Sequence, residues 1–346
     1  LTEPQHVTQP EPNASSDAAP ALGDATGDPA LDVAIVVVTY KRSQLLRVLL
    51  DSITRLQTPP SWVVVVDNHS EDDTGEVIES FRERLGRRAD GRDRLVHAPQ
   101  EENTGGSGGF SAGVRIAYDL GAEWLWLMDD DVAVLPPAID RLLPWTKRFQ
   151  VIQGRRYNFD GSPFYWQFDF NVPLGIPNPV AKDDFGADGW LPMNTVCFEG
   201  GLFHRDVVRR IGLPDPRFFI YWDDTVYGYL ASTVTRCALV DTFILRRTRE
   251  IRRLDLGPRK LNGTSDMVRF HIMRNRGYMA RYFRLHGDYN RFVFGLGTAL
   301  TLAKELIRIA TVDHSFRSGT RALVRGMRGA RRIYRDRAWK PMPPLE

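Results

Sequence analysis

The sequence predicts an α/β fold, an open, mostly parallel sheet flanked by helices and followed by a helical extension at its C-terminal end. Three observations predict it. Val33–Thr39 (VAIVVVT) and Trp62–Val66 (WVVVV) are continuous β-branched apolar runs, as expected of strands buried on both faces of a parallel sheet. Between them a helical stripe replaces the strand pattern. From about Asp266 onward the chain reads as largely helical and increasingly basic.

Taken in order, the first strand leads into a helix over Ser43–Leu56, with Ser43 as its expected N-cap and Leu45, Leu46, Leu49, Leu50 and Ile53 on one face. With Trp62–Val66 this completes a βαβ unit. A helix near Asp73–Leu85, a short strand at Leu95–Ala98, a glycine-rich turn, a helix near Phe110–Leu120 and a strand Trp124–Met128 repeat the alternation. In such sheets ligands bind beyond the carboxyl ends of the strands, where Thr39, Asp67, Asn103 and Asp129 fall. Val151–Pro192 is rich in aromatics, Gly, Pro and Asn and is expected to form loops that shape a pocket. Helical patterning returns near Val207 and Val226, and no internal repeat is apparent.

Composition excludes the disordered and fibrous classes: 42% of the 346 residues are hydrophobic and 26% charged. The net charge of +3 has an uneven origin, since nine basic side chains and one acid, Asp336, lie between Ser315 and Lys340. Arg321, Arg325, Arg328, Arg332 and Arg335 recur at helical spacing, which suits an anionic membrane surface or a plainly solvated face. Nucleic acid is not expected, because no reading module accompanies the tail. Phe292–Ala303 is apolar but too short to span a bilayer. The first thirty residues lack the pattern of a signal peptide and are expected to form a mobile leader. Cys197 and Cys237 sit in apolar contexts without metal-ligand spacing, as expected of two buried free thiols in a reducing compartment.

Three segments carry chemistry. Asp129, Asp130 and Asp131 follow a hydrophobic strand, and so many adjacent like charges call for a cation; carboxylates suit Mg²⁺ or Mn²⁺ bound to a diphosphate. In extended backbone Asp129 and Asp131 point one way and Asp130 the other, which makes the outer pair the better ligands. A solvated acidic turn would carry the same triplet. Asn103–Phe110 (NTGGSGGF) lacks both the GK[ST] ending of a P-loop and the third glycine of a dinucleotide fingerprint, leaving either a phosphate-binding or a purely structural turn. Asp223 and Asp224 lie among aromatics in YWDDTVYGY, where apolar neighbours would raise a carboxylate's pKa and strengthen it as a base. One of the two is expected to cap the helix that begins near Thr225.

With VVVTYKR, VVDNHS, NTGGSGGFSAG, WLMDDDV and FIYWDDTVYG in that order over roughly 33–245, the chain resembles the family 2 glycosyltransferases of the GT-A fold. Within them it is similar to the galactofuranosyltransferases of actinobacterial cell-wall galactan, and by length to the initiating rather than the polymerising kind. The resemblance implies a GT-A domain over 31–265, with a nucleotide-binding half at 31–132 and an acceptor and catalytic half at 133–265. A membrane-associating helical extension over 266–346 would follow. It implies nucleotide contacts from Thr39, Tyr40, Arg42 and Asp67, donor contacts from Asn103, Gly106 and Asp130, metal binding by Asp129 and Asp131, and Asp224 as catalytic base beside Asp223. Trp190 and Trp222 would stack on acceptor sugars. Relatives supply a third metal ligand as histidine after the base, whereas CALVDTFILRRT contains none. Arg247 stands in its place, so His271 or His204 would complete the shell, or Arg247 would hold the diphosphate directly.

The implied reaction is inverting transfer of galactofuranose from UDP-galactofuranose, with Mn²⁺ or Mg²⁺, to a rhamnosyl-N-acetylglucosamine polyprenyl diphosphate. The place would be the cytoplasmic face of the membrane, with peripheral attachment. A rhamnosyltransferase using dTDP-rhamnose and a non-catalytic nucleotide-sugar-binding scaffold are the competing readings.

Overall fold

The computed structural model describes residues 31–164, 169–178, 184–250, 254–256, 259–261 and 263–346; the expected leader at 1–30 lies outside them. β1 (Val33–Thr39) is buried along its whole length, and α1 (Ser43–Ile53) returns over it on Leu46, Leu49, Leu50 and Ile53. Ser43 is the first helical residue rather than the cap, a place taken by Arg42 without a side-chain bond. β2 (Trp62–Asp67) follows, then α2 (Thr74–Ser80) and α3 (Arg82–Leu85), two short helices where a single one was expected. β3 (Leu95–Pro99), α4 (Gly105–Asp119) and β4 (Trp124–Asp129) complete the first half.

The second half adds β5 (Val132–Val134), α5 (Ala138–Thr146), β6 (Val151–Tyr157), β7 (Pro163–Phe164), β8 (Phe170–Asn171), β9 (Ile176–Pro177), β10 (Trp190–Met193) and β11 (Gly201–His204). Then come α6 (Arg205–Ile211), a 3₁₀ turn at Pro216–Phe218, α7 (Asp223–Val234) and β12 (Cys237–Arg247). The main sheet runs β10-β12-β6-β11-β4-β1-β2-β3, with β5 beside β12 and β7 beside β6. Its β3-β2-β1-β4 part is parallel, whereas β11 runs antiparallel to both β4 and β6. The expectation of loops throughout 151–192 is corrected at β6: Val151–Gly154 is buried between β11 and β12, and its polar residues serve the site rather than solvent.

β13 (Leu254–Leu256) and β14 (Arg259–Leu261) form a hairpin, and the helical extension follows as expected: α8 (Asp266–Arg274), α9 (Arg276–Leu285), α10 (Arg291–Arg308), a π turn at Ile309–Asp313 and α11 (Phe316–Arg335). α10 buries a mixed face of Phe294, Gly297, Thr301, Glu305 and Arg308. It leaves Phe292, Leu296, Leu300, Leu306 and Ile307 exposed, Phe292 at 83%. This inverts the usual arrangement. Beneath it Arg276, buried, donates to the carbonyls of Gly175 (2.6 Å) and Leu174 (2.9 Å), tying the 170–178 loop to α10. No helix among the described residues is long and apolar enough to cross a membrane.

Candidate active site

Thr39, Asp67 and Asp129 come together because β1 pairs in parallel with β2 on one side and β4 on the other. Thr39 stands opposite Asp67, and Val38 opposite Asp129. Asp130 turns into the protein, where its carboxylate accepts Thr39 Oγ1 at 2.8 Å and Arg42 Nη1 at 3.0 Å. Burial pushes its pKa up while Arg42 pulls it down. Asp131 is more open and faces Arg42 at 3.8 Å and Arg249 at 3.5 Å.

Asp129 differs from both. Burial, together with the charges of Asp131, Glu199 and Asp130, holds its carboxyl well above the ordinary range. Such a concentration of negative charge fits a divalent cation. Among the described residues no three His, Cys, Asp or Glu side chains converge into a closed shell. Asp129 and Asp131 are the two carboxylates of the triplet that could supply ligands to such an ion, Asp130 being turned into the protein.

Glu199, which the sequence reading did not single out, joins this centre to the second acidic pair. Arg247 grips it with both arms of its guanidinium, Nε at 2.8 Å and Nη2 at 2.7 Å, and Arg156 Nε lies 3.3 Å away. Arg156 also donates to the Glu199 carbonyl at 2.8 Å and to Cys197 Sγ at 3.7 Å. Arg156 and Cys197 both act on the buried Asp224 carboxylate, each drawing its pKa down against the effect of burial. The expectation that Arg247 is free to hold a diphosphate is corrected here, because its fork is engaged by Glu199. Both cysteines are free and buried, as expected, and burial pushes the Cys197 thiol up.

Asp223 and Asp224 are the first two residues of α7, so neither stands at the cap position, which is held by Trp222 in a left-handed conformation (φ 71°). Asp224 Oδ1 accepts the Thr225 amide at 2.6 Å and the Thr225 hydroxyl at 3.2 Å. Desolvation, and for Asp223 the neighbouring charge of Asp224, raises both carboxyls. Asp223, pushed up to about 8, holds its proton at a pH where an ordinary aspartate would be ionised.

The glycine-rich segment is corrected from a turn to the opening of α4. Asn68, buried, organises its approach: its amide donates to Asn103 Oδ1 at 3.0 Å and to the Gly105 carbonyl at 2.9 Å, and its oxygen accepts the Thr104 amide at 3.1 Å. Gly105 sits at φ +73°, and a Cβ there would lie 2.1 Å from the Phe219 carbonyl oxygen. That oxygen accepts the Ser107 amide at 3.1 Å, and Ser107 Oγ donates to the Asp215 carbonyl at 2.6 Å. The segment thus seats the loop that carries Asp223 and Asp224, while Gly106 keeps open space around it.

Replacing Gly105 by alanine is expected to cost about 3 kcal/mol in urea unfolding, because a strained φ and a backbone collision add. Gly86→Ala, at φ +73° with nothing within 4 Å, should cost only about 1 kcal/mol. Equal losses at the two positions would show that the Phe219 contact is not the cause.

Tyr40 is exposed at the rim with the Lys41 ammonium 5.4 Å from its ring centroid. Trp222 is pinned: its indole N–H donates to the Ile272 carbonyl at 3.1 Å and its ring meets Phe170 edge-on. Trp190 packs on Phe149 beneath Arg148 at the β10 edge of the sheet. The exposed aromatic beside the acid pair is Tyr221, not either predicted tryptophan. Neither histidine completes a shell. His204 lies opposite Trp124, at the far end of β4 from Asp129, and caps α6; His271 stacks on Phe219 with Arg274 2.9 Å from Nδ1.

Comparison with known proteins now bears on this arrangement. The model of glycosyl transferase family 2 matches residues 34–212, just over half the chain. Galactofuranosyltransferase GlfT1 of Mycolicibacterium smegmatis is 28% identical over 205 residues, covering 56% of this chain and 62% of that protein. GlfT1 of Mycobacterium tuberculosis is 29% identical over 200 residues, covering 55% and 60%. The chain thus spans about three fifths of the length of the curated relatives it matches. Among solved structures, S. aureus TarS 1-349 aligns with a TM-score of 0.55 at 13% identity, covering 88% of this chain and 81% of that one. GalNAc-T7 with UDP, GalNAc and Mn²⁺ aligns at 0.53 and 13%, covering 73% and 50%. These structural likenesses show the fold, a GT-A architecture.

Proposed function

The chain belongs to glycosyl transferase family 2, and on that premise we propose that it is an inverting transferase that moves galactofuranose from UDP-galactofuranose. The acceptor is a rhamnosyl-N-acetylglucosamine unit on a polyprenyl diphosphate. The observation that carries the reading is the presence of two distinct acidic centres, one at the end of β4 and one at the start of α7, with Glu199 acting on the first, Arg156 and Cys197 on the second, and Arg156 touching both Glu199 and Cys197. One centre suits a cation and a diphosphate; the other suits proton removal.

Asp224 takes the proton of the acceptor hydroxyl as that oxygen attacks the anomeric carbon. The bond from the anomeric carbon to the diphosphate breaks, and its electron pair leaves with UDP. A single base on the face opposite the leaving group gives inversion. Asp223, its carboxyl pushed up to about 8, stays protonated and keeps the pair from carrying two charges. Asp129 and Asp131 would hold Mn²⁺ or Mg²⁺, which supplies positive charge to the departing diphosphate. Thr39 and Arg42 fix Asp130 so that the outer carboxylates face the ligand. Tyr40 and Asp67 bind the nucleoside, and Asn103 with the open Gly106 lines the donor side. The exposed apolar face of α10 and the arginines of α11 support the reading of a peripheral component at the cytoplasmic membrane surface.

Purified protein supplied with a synthetic lipid disaccharide is expected to transfer sugar from UDP-galactofuranose, with linkage analysis of the product giving position and stereochemistry. Transfer from dTDP-rhamnose and not from UDP-galactofuranose would overturn the reading.

A further inference from the structure

The helical extension contains a groove of about 620 Å³ between α8 and α11 that the reaction so far does not use. Arg317, Arg321 and Arg325, one helical turn apart along α11, form one wall. Its apolar lining comes from Met267, Phe270 and Ala322, and Met267 is half exposed. Among the described residues none of the three arginines makes an ion pair with a carboxylate. Asp266, the acid at the groove, is engaged by Arg269 at 2.7 Å. Arg325 lies 5.6 Å from the Phe270 ring centroid, so cationic and apolar groups face the same space.

We propose that this groove binds a phosphate group carried on an apolar chain, and specifically the diphosphate of a lipid-linked acceptor. Guanidinium forks match phosphate oxygens, and the Met267 and Phe270 side chains match the first carbons of the lipid. An inorganic anion would leave that apolar surface uncovered. The position also fits. The Ile272 carbonyl holds Trp222 beside the acid pair, and Met267 lies five residues back along the same helix, roughly 8 Å at 1.5 Å per residue. The groove and the carbonyl that holds Trp222 thus lie on one helix, α8, and a saccharide joined to a diphosphate in the groove would start about one and a half turns from that carbonyl. The choice of diphosphate rests on the acceptor proposed above; the groove and its chemistry do not.

The test is binding without any sugar donor, using the full chain in neutral detergent and a short prenyl diphosphate followed by calorimetry. The protein is expected to bind it at least tenfold more tightly than inorganic diphosphate or the corresponding prenol. The R317A/R321A/R325A triple variant should weaken binding about 30-fold with its thermal unfolding temperature unchanged. Met267→Asp, at an exposed position, should weaken the prenyl diphosphate but not inorganic diphosphate. Equal affinity for inorganic diphosphate, or undiminished binding by the triple variant, would overturn the proposal. So would a variant that loses only its attachment to phosphatidylglycerol vesicles, since the groove would then be a general anionic contact. Because no donor is present, the proposal can fail while galactofuranosyl transfer to a soluble acceptor stands, and the reverse.

Discussion

Asp224→Asn is expected to lower kcat by about 10³-fold or more, with UDP affinity and unfolding temperature close to those of the parent protein. Asparagine keeps the acceptor for the Thr225 amide but cannot take a proton from an attacking hydroxyl. Asp223→Asn should cost less in kcat and should change its pH dependence. In the parent protein burial raises both carboxyls and the Asp224 charge raises Asp223 further, to about 8, so the active form carries an ionised Asp224 beside a protonated Asp223. The rate should fall on the acid side as Asp224 takes up a proton, and change again near pH 8 as Asp223 loses its own. In Asp223→Asn that upper step should be gone, while the acid limb, where Asp223 is neutral already, should stay close to its parent position. Stopped-time assays over pH with saturating donor would measure both effects. A scaffold that only binds nucleotide sugars would show no transfer for Asp224→Asn to remove.

Asp129→Asn is expected to lower transfer roughly 10³-fold while raising the thermal unfolding temperature of the metal-free protein. The two effects have one origin. A carboxyl whose folded pKa lies above its unfolded value holds its proton more tightly in the folded state, so it takes stability away as pH rises from the unfolded value to the folded one. Asp129 is such a group, raised by burial and by Asp131, Glu199 and Asp130. At neutral pH the asparagine removes that penalty. Mn²⁺ should stabilise the parent protein in proportion to its occupancy and have little effect on the variant. Calorimetric scans with and without the metal, at several pH values, would show both. A variant that loses transfer and stability together would place Asp129 in the packing of the sheet rather than at a cation.

The first half of the fold was legible because its strands are buried on both faces, so VAIVVVT and WVVVV admit no amphipathic alternative. Strand ends then place Thr39, Asp67 and Asp129 together by topology alone. Glu199 and Arg156 were not legible in the same way. They meet only because β6 lies between β11 and β12, a pairing set by tertiary packing that no local pattern announces. Polar residues in VIQGRRY read as loop for the same reason. NTGGSGGF misled through propensity: glycine ordinarily weakens a helix, yet Gly109 and Gly113 have Val38 and Val36 where side chains would otherwise stand. The aromatic residues were found as a group, but which ring stays free depends on Trp222 bonding to Ile272, 50 residues away.

The contact between the start of α4 and the loop before α7 also makes the site a product of the whole chain. Ser107 and Asp215 are 108 residues apart in sequence, and no local step brings them together. The β1–β2 and β2–β3 ladders close over 28 and 32 residues, but the β1–β4 ladder that brings in Asp129 spans 91. The loop bearing Asp223 and Asp224 is held from two sides, by Gly105 and Ser107 at the start of α4 and by Asn275, which donates to the carbonyls of Phe218, Ile220 and Tyr221. Both acidic centres therefore depend on long-range closure, Asp129 through the β1–β4 ladder and the Asp223–Asp224 pair through contacts from α4 and the end of α8, so a cut between them would part the pair from its seat on α4.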